Sequence, residues 1–533
     1  MSEEPRAEAF SRAEHGRCLA CRGTPRPGQC AGGGADAGRG ATGAAMRTKI
    51  TGRHVIGFAD GDHVVHENGE VVLEDDAVRF VGHHYAGPVD RVLNAGEAIV
   101  SPGFVDLDAL AEIDHGILDT WGSPERLRRL RWSEAYFAAG RHDVFTREEQ
   151  ALSRRYALAQ LLLNGITTAM PIAAETHKAW AETYDEFADV VAIGAELGNR
   201  LYLGPSYRAG VNVTRADGTP DVRWNEALGE QGFRDAVRFA RDVDGANGGL
   251  VRGALLPARI ETMTPDLLRA SKRASDELGC PIRLHAAQGE REVAFLARRH
   301  GTTPVGLLDE LGFLGPRTLI PHAQYLAGRA GMPEGPVDEV ALLAESGTSV
   351  VYCPLTNAQY GGLLDSFAAY RDAGVTIALG TDTFPPDMVR AMATGHSLDK
   401  FATKRLDATS FADLFRAATL GGARALGRDD LGRLAPGAQA DVTIIGLSDL
   451  RTGPVDDPIR TLLMNGHGGC VRDVFVAGRH VVRDGAIPGL DTERLRADAA
   501  AYFARYKEAF RAWDVRQGTV ADLFPPSFRT IVG

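Results

Sequence analysis

Thr318-Leu319-Ile320-Pro321-His322 is a short apolar run that closes on a histidine, and Ile282-Arg283-Leu284-His285 upstream has the same form. A run of this length, bounded by turn residues and followed by an amphipathic pattern, reads as a buried parallel strand. Outward from these two, similar runs stand at Ile166-Thr167-Thr168-Ala169-Met170, Leu201-Tyr202-Leu203, Val251-Arg252-Gly253-Ala254-Leu255-Leu256, Ser349-Val350-Val351-Tyr352-Cys353 and Thr376-Ile377-Ala378-Leu379-Gly380, with a first strand at Val105. Helical patterns lie between them at Glu148 to Leu163, Phe233 to Val243, Pro265 to Leu278, Val337 to Ser346 and Phe367 to Ala373. Eight such repeats, with no glycine-rich dinucleotide fingerprint after the first strand, predict an α/β chain built as a closed (β/α)8 TIM barrel rather than an open sheet.

The segment before the barrel is different. From Met46, short strands at His54 to Phe58, His63 to Val65 and Val71 to Leu73 are separated by Asp60-Gly61-Asp62 and Asn68-Gly69-Glu70, both read as hairpin turns. Residues 46–100 are therefore expected to form part of a small β domain. Residues 1–45, rich in Gly, Ala, Arg and Pro, are read as a disordered extension or an over-long start with Met46 as the true beginning.

Composition limits the partners. A net charge of −11 argues against a general phosphate-backbone binder, and no apolar run is long enough to cross a bilayer. The expected partner is a small-molecule substrate, not nucleic acid or membrane. The 6 cysteines in 533 residues are too sparse for a disulfide scaffold and point to a reducing, cytoplasmic location. Cys18-Leu-Ala-Cys21 has zinc-knuckle spacing but no second such pair.

In a barrel of this kind the working residues stand at the C-terminal ends of the strands. Asp106 and Asp108, two apart on the first strand, are expected to face the same side. His285 ends the fifth strand, His322 the sixth, and Asp382 follows the eighth. Arg208, Arg259 and Arg283 lie near the ends of strands three, four and five, and Arg283 shares the parity of His285.

These motifs resemble the amidohydrolase superfamily, in the branch of triazine hydrolases and cytosine and guanine deaminases. Leu284-His285-Ala286-Ala287-Gln288 is similar to that family's LHAAE, and Pro321-His322-Ala323-Gln324-Tyr325-Leu326 to its AHCVHL. Val350 to Asn357 parallels VVHCPxSN, and Leu379-Gly380-Thr381-Asp382-Thr383 parallels LGTDS. Gly432 to Val442 resembles GSLxPGKxADLV, the return to the small domain. The resemblance implies a barrel over 101–430, a composite β-sandwich domain completed by 431–490, a helical tail over 491–533, and a homodimer. It also implies that His285 is a metal ligand, His322 a group polarising the substrate, and Asp382 both ligand and base.

Two departures change the expected chemistry. Pro102-Gly103-Phe104-Val105-Asp106-Leu107-Asp108-Ala109-Leu110 stands where the family reads close to PGFVDTHTH, and Asp106 and Asp108 are read as taking the place of its two ligand histidines. Gln288 replaces a proton-shuttling glutamate, and an amide cannot take up and return a proton at neutral pH. Gln288, Trp121 and Arg283 are the expected substrate-binding residues; Trp121 and Trp132 follow the first strand, where a ring could stack or simply pack in the lid. The cofactor is read as one divalent ion (zinc, iron or manganese) held by His285, Asp382, Asp106 and Asp108, or as none. Oxygen ligands move the preference away from zinc towards manganese, magnesium or calcium. Without an ion the three aspartates form an acidic mouth suited to a cationic, amidine-like substrate. The expected activity is hydrolysis of a non-peptide carbon–nitrogen bond, by deamination or a dechlorination-type reaction, of a small cyclic or amidine-like compound. The alternatives are a metal-independent hydrolase on the same scaffold and a catalytically inactive small-molecule binder.

Overall fold

Strands β1 (Arg47–Ala59) and β2 (Asp62–Glu74) pair antiparallel across Asp60 and Gly61, both of which take positive φ. That is the geometry a two-residue hairpin turn requires. The computed structural model describes residues 46–531 except 114–122, 124, 126–128, 130–131, 141–142, 173–176, 330–331, 333–334 and 336. The expected Asn68-Gly69 turn is overturned. Glu67 pairs with His54 and Gly69 with Gly52, so the pairing runs straight through the dipeptide. Asn68 adopts φ 52° within the strand and accepts from Arg53 Nη1 at 3.0 Å. Because the partner strand continues on both sides in one register, the left-handed residue does not reverse β2.

With β3 (Ala77–Gly82), β4 (Arg91–Asn94) and β5 (Ala98–Pro102), this segment forms a sheet that the far end of the chain completes. Its order is β20-β19-β18-β5-β1-β2-β3, with β4 beside β1, where β18 is Val442–Gly446, β19 Val471–Val476 and β20 Arg479–Val482. Ile50, Val71, Val100, Val442, Ile444 and Phe475 share one buried cluster on it.

The barrel follows. Parallel strands β6 (Phe104–Leu110), β7 (Ile166–Ile172), β8 (Arg200–Leu203) and β12 (Val251–Gly253) form one run. Strands β14 (Ile282–Arg283), β15 (Thr318–Pro321), β16 (Ser349–Tyr352) and β17 (Ile377–Leu379) form the other. Between β8 and β14 the chain inserts β9 (Ser206–Tyr207), which pairs with β13 (Leu256–Pro257), and the hairpin of β10 (Gly210–Thr214) and β11 (Pro220–Trp224). The two runs join through the parallel bridge of Leu255 and Ile282, and the circle closes where Asp382 N donates to Asp108 O at 2.8 Å. Val105, Leu107, Met170, Tyr202, Ala254, Leu319, Val351 and Ala378, drawn from strands around the ring, pack together inside.

The helices start where capping residues stand. Thr146 and Glu149 form a capping box on Arg147–Leu163, and Thr264 caps Pro265–Leu278, which stops at left-handed Gly279. The helix expected from Phe233 begins earlier, at Glu226, because Asn225 caps it by accepting from Leu228 N. The first two turns hold Gly229 and Gly232, so the apolar periodicity is visible only later. The C-terminal helix Thr492–Ala509 places Tyr502 and Tyr506 in a cluster with Trp132, Phe145 and Trp513. Trp132 is thereby packed against Trp513, 5.5 Å between ring centroids, and is not displayed for a substrate ring. Among the described residues no helix is long and apolar enough to cross a membrane.

His63 on β2 lies against Phe415, its Nε2 paired with Thr419 Oγ1 at 2.9 Å. Burial pushes its pKa down to about 4, so it is neutral in the fold while the unfolded chain takes up a proton below its ordinary 6.5. Its contribution is complete above pH 6.5 and is lost as pH falls towards 4, by up to about 3 kcal/mol. His63→Gln is expected to flatten that part of the stability profile; urea unfolding at pH 7.5 and 4.5 measures it, and an unchanged slope contradicts the assignment.

Candidate active site

Asp106 and Asp108 are both fully buried, but they do not act as a pair. The register between β6 and β7 shifts between Asp106 and Ala109, and this irregularity breaks the two-residue alternation on which the shared-face expectation rested. Asp106 turns to the last strand: Thr381 N donates to its Oδ1 at 3.1 Å, Thr381 Oγ1 to its Oδ2 at 2.5 Å, and Asp108 N to Oδ1 at 3.2 Å. Burial pushes Asp106 up to about 6 against these hydrogen bonds.

Asp108 turns to the barrel mouth. Arg283 Nη1 is 3.1 Å from its Oδ1; His285 Nε2 lies 3.4 Å from its Oδ2 and Cys353 Sγ donates to that oxygen at 3.5 Å. Burial acts to raise the Asp108 pKa, but the charges of His285 and Arg283 outweigh it and hold the carboxyl below its ordinary range. Arg283 is buried, and its Nη1 also donates to Leu107 O at 3.0 Å and Met170 O at 2.5 Å. Its guanidinium therefore sits inside the barrel, under the mouth, and not on the face expected for a substrate contact. Gly380 makes the close approach possible, since a Cβ there would lie 2.6 Å from Asp108 Cβ and 3.0 Å from Cys353 Sγ.

The two histidines face the same space, with ring centroids 5.6 Å apart. His285 Nδ1 donates to Ala258 O at 3.0 Å, which aims Nε2 at Asp108. His322 Nδ1 donates to Asn357 Oδ1 at 3.2 Å, leaving Nε2 buried, 3.6 Å from Asp382 Oδ2 and without a hydrogen bond among the described residues. Burial, with the charge of His285 second, pushes His322 down to about 3, so the ring is neutral at physiological pH. His322 (φ 69°), Ala323 (46°), Ala287 (56°) and Asp382 (40°) all adopt the left-handed region that non-glycine residues avoid. Such backbone clusters where a site over-determines its side chains.

At the rim, Gln288 Oε1 accepts from Arg259 Nη1, and Arg259 is held by Glu261 at 2.8 Å and Glu292 at 3.7 Å. Burial, then the charge of Glu261, pushes Glu292 up to about 8. Glu292 is a carboxyl close to the missing shuttle, yet both its oxygens are occupied, by Ala287 N at 2.5 Å and Gln288 N at 3.2 Å. It braces the turn carrying Gln288 and does not restore the shuttle. Trp121, like Cys18, Cys21 and Cys30, lies outside the described residues.

Residues 99–481 match the amidohydrolase family. The chain belongs to that family. Its curated relatives include a 5-methylthioadenosine/S-adenosylhomocysteine deaminase of Natronomonas pharaonis, 29% identical over 82% of this chain and 92% of the relative. Another is an 8-oxoguanine deaminase of Pseudomonas aeruginosa, 28% identical over 83% and 94%. An adenosine deaminase of Xanthomonas campestris with bound zinc has the same fold, with a TM-score of 0.69 at 23% identity, covering 86% of this chain and 98% of that one. So does an atrazine chlorohydrolase of Arthrobacter aurescens with zinc, with a TM-score of 0.68 at 21% identity, covering 85% and 99%. The chain is thereby a hydrolase of carbon–nitrogen bonds other than peptide bonds.

An amidohydrolase raises the question of a metal. Among the described residues, donor atoms of Asp108, His322, Cys353 and Asp382 all lie within 4.8 Å of one another. A tetrahedral site with bonds of about 2.0 to 2.3 Å has edges of roughly 3.3 to 3.8 Å. The separations of 3.6 Å for His322 Nε2 to Asp382 Oδ2 and 3.5 Å for Cys353 Sγ to Asp108 Oδ2 have this size. The buried, unbonded His322 Nε2 is a further reason that the donor set fits a divalent ion. Asp106 is outside that group because Thr381 occupies its oxygens, and His285 borders it through Asp108; counted along PGFVDTHTH, Asp106 matches the motif's own aspartate while Asp108 and Leu110 stand at its histidines, so one aspartate and not two takes a histidine's place. Cys353 and Thr381 were not singled out from sequence: a cysteine at a strand end reads as core, and Thr381 has meaning only beside Asp106.

Asp106→Ala strands the Thr381 amide and hydroxyl in a dry seam and is expected to cost about 2–4 kcal/mol, with Thr381→Val costing about 1–2. The double variant should lose less than the sum, because both single changes break the same bonds. Urea denaturation provides the cycle; strictly additive losses would show that the seam is not shared.

Proposed function

We propose that the chain is a cytoplasmic hydrolase that removes an amino or comparable leaving group from a small nitrogen heterocycle, at an altered metal site. The observation that carries this reading is the convergence of Asp108, His285, His322 and Asp382 at one barrel mouth where the proton-shuttling carboxylate is replaced by Gln288. The deaminase names of the relatives support the reaction class. Asp108, His322 and Asp382 are the oxygen and nitrogen donors that would hold the ion; when bound, it supplies water of lowered pKa.

Asp382 is the base in this reading. Its main chain is pinned by Asp108 O and by the hydroxyl of Thr356, which donates to Asp382 O, so the carboxylate is presented without a search through rotamers of the loop. It takes the proton of the attacking water, and the ring nitrogen or leaving group receives it in turn. His322, neutral through burial, presents Nε2 to the same point and fixes the centre. Arg283 balances the charge of Asp108 from below, and Gln288, tied to Arg259, orients the ring by its amide without exchanging a proton.

Purified protein should release ammonia from at least one member of a panel of aminopurine nucleosides, 8-oxoguanine and amino-triazines, or halide from chlorotriazines. Asp382→Asn should lower kcat by about 10²–10⁴-fold. Dipicolinate treatment should abolish turnover and a divalent ion restore it; turnover undiminished in metal-free protein would favour the metal-independent hydrolase. Tight binding of panel members with no ammonia or halide released would overturn the reading in favour of a non-catalytic binder.

A further inference from the structure

We infer that Cys353 is the sulfur ligand of a mixed carboxylate, imidazole and thiolate site with Asp108, His322 and Asp382, a site that selects zinc-type ions over manganese, magnesium or calcium. The inference rests on the reading that the barrel mouth holds a divalent ion, and it changes which ion that is. Aspartates in place of histidines argue for a hard-ion site from sequence. One thiolate reverses the preference, because soft sulfur binds zinc, cobalt or ferrous iron far better than the hard alkaline-earth ions.

Four observations meet here. Cys353 follows β16 at the C-terminal end of the barrel and is fully buried, with Sγ 3.5 Å from Asp108 Oδ2. Its sulfur belongs to the group of four donors lying within 4.8 Å of one another. His322 Nε2, a member of the same group in a side chain with no exposed surface, has no hydrogen-bond partner among the described residues. Gly380 leaves the space in which Cys353 and Asp108 approach.

Arg283 is the competing cation, and its placement leaves room. It approaches Asp108 by Oδ1, whereas Cys353 and His285 approach by Oδ2, so the two oxygens are divided between the fixed charge and the donor group. On metal uptake the thiol loses its proton to solvent and Sγ binds as thiolate, so the hydrogen bond to Asp108 is replaced by a shared ion. Asp106 takes no part, because its bonds to Thr381 close the barrel.

The test uses the full chain with Cys18, Cys21 and Cys30 changed to Ser, so that the CxxC near the start contributes no sulfur. Stripped with dipicolinate and titrated with Co²⁺, this protein should bind one equivalent and develop a near-ultraviolet sulfur-to-cobalt charge-transfer band. Adding Cys353→Ser should remove the band and weaken binding at least ~10-fold, a change readable by competition with a chelating dye. Zinc-edge X-ray absorption on the Cys353-containing protein needs no fold-sensitive variant and should show one sulfur neighbour at about 2.3 Å. Cobalt bound without the band, a band that survives Cys353→Ser, a zinc shell of only nitrogen and oxygen, or no binding would each overturn the inference. Turnover of the heterocycle panel is scored separately: activity without a sulfur signal defeats only the sulfur ligand, and a sulfur signal without activity defeats only the proposed reaction.

Discussion

The seam between the first and last barrel strands is the interaction on which the rest of the site depends. A barrel has no free edge only if its last strand finds its first, and here the hydrogen bonds that join them lie past the end of β17, at Thr381 and Asp382. Asp108 O accepts from Asp382 N, and the carboxylate of Asp106 takes both the amide and the hydroxyl of Thr381. A side chain thus performs part of the work of a strand backbone. Burying a carboxyl for this purpose is costly, as its pKa near 6 records, but three hydrogen bonds hold it in one orientation.

That division explains how the two aspartates can share a strand without sharing a role. The bulged register after Asp106 sends one carboxylate sideways into the seam and the next into the mouth. The seam then fixes Asp382, whose left-handed backbone would otherwise relax, at 3.6 Å from His322. Strained conformations of this kind cost roughly 1–3 kcal/mol each and persist because neighbouring structure holds them. Stability is spent in the scaffold so that the donors at the mouth arrive already aligned.

The fold was legible because parallel strands buried on both faces are apolar runs with helical patterns between them, whereas the helix start capped by Asn225 was missed because Gly229 and Gly232 hide its apolar period. His285, His322 and Asp382 were legible as strand-end residues once the strands were counted. Parity failed at Asp106, where a register shift invisible in sequence overrides a two-residue period. The Asn68-Gly69 dipeptide failed for a related reason: local turn preference lost to continuous pairing with β1. Cys353 fell within the VVHCPxSN match but drew no role, because a buried cysteine's neighbours along the chain do not distinguish core from site; its approach to Asp108, remote in sequence, is visible only in the fold.

Charge at the mouth is also less negative than three aspartates suggest. Asp106 is spent on the seam, and Asp108 faces Arg283 within the barrel. Arg259 adds a second guanidinium at the rim, held by Glu261 and Glu292, with Asp382 close enough to act on its charge. These pairings weaken the field that would concentrate a cation from solution, and with it the electrostatic support for the cationic, amidine-like substrate inferred from an acidic mouth. What remains is a pocket of directional donors and acceptors, which on the proposed reading suits a neutral heterocycle held by hydrogen bonds, its leaving group becoming charged only as it accepts the proton that Asp382 would pass on.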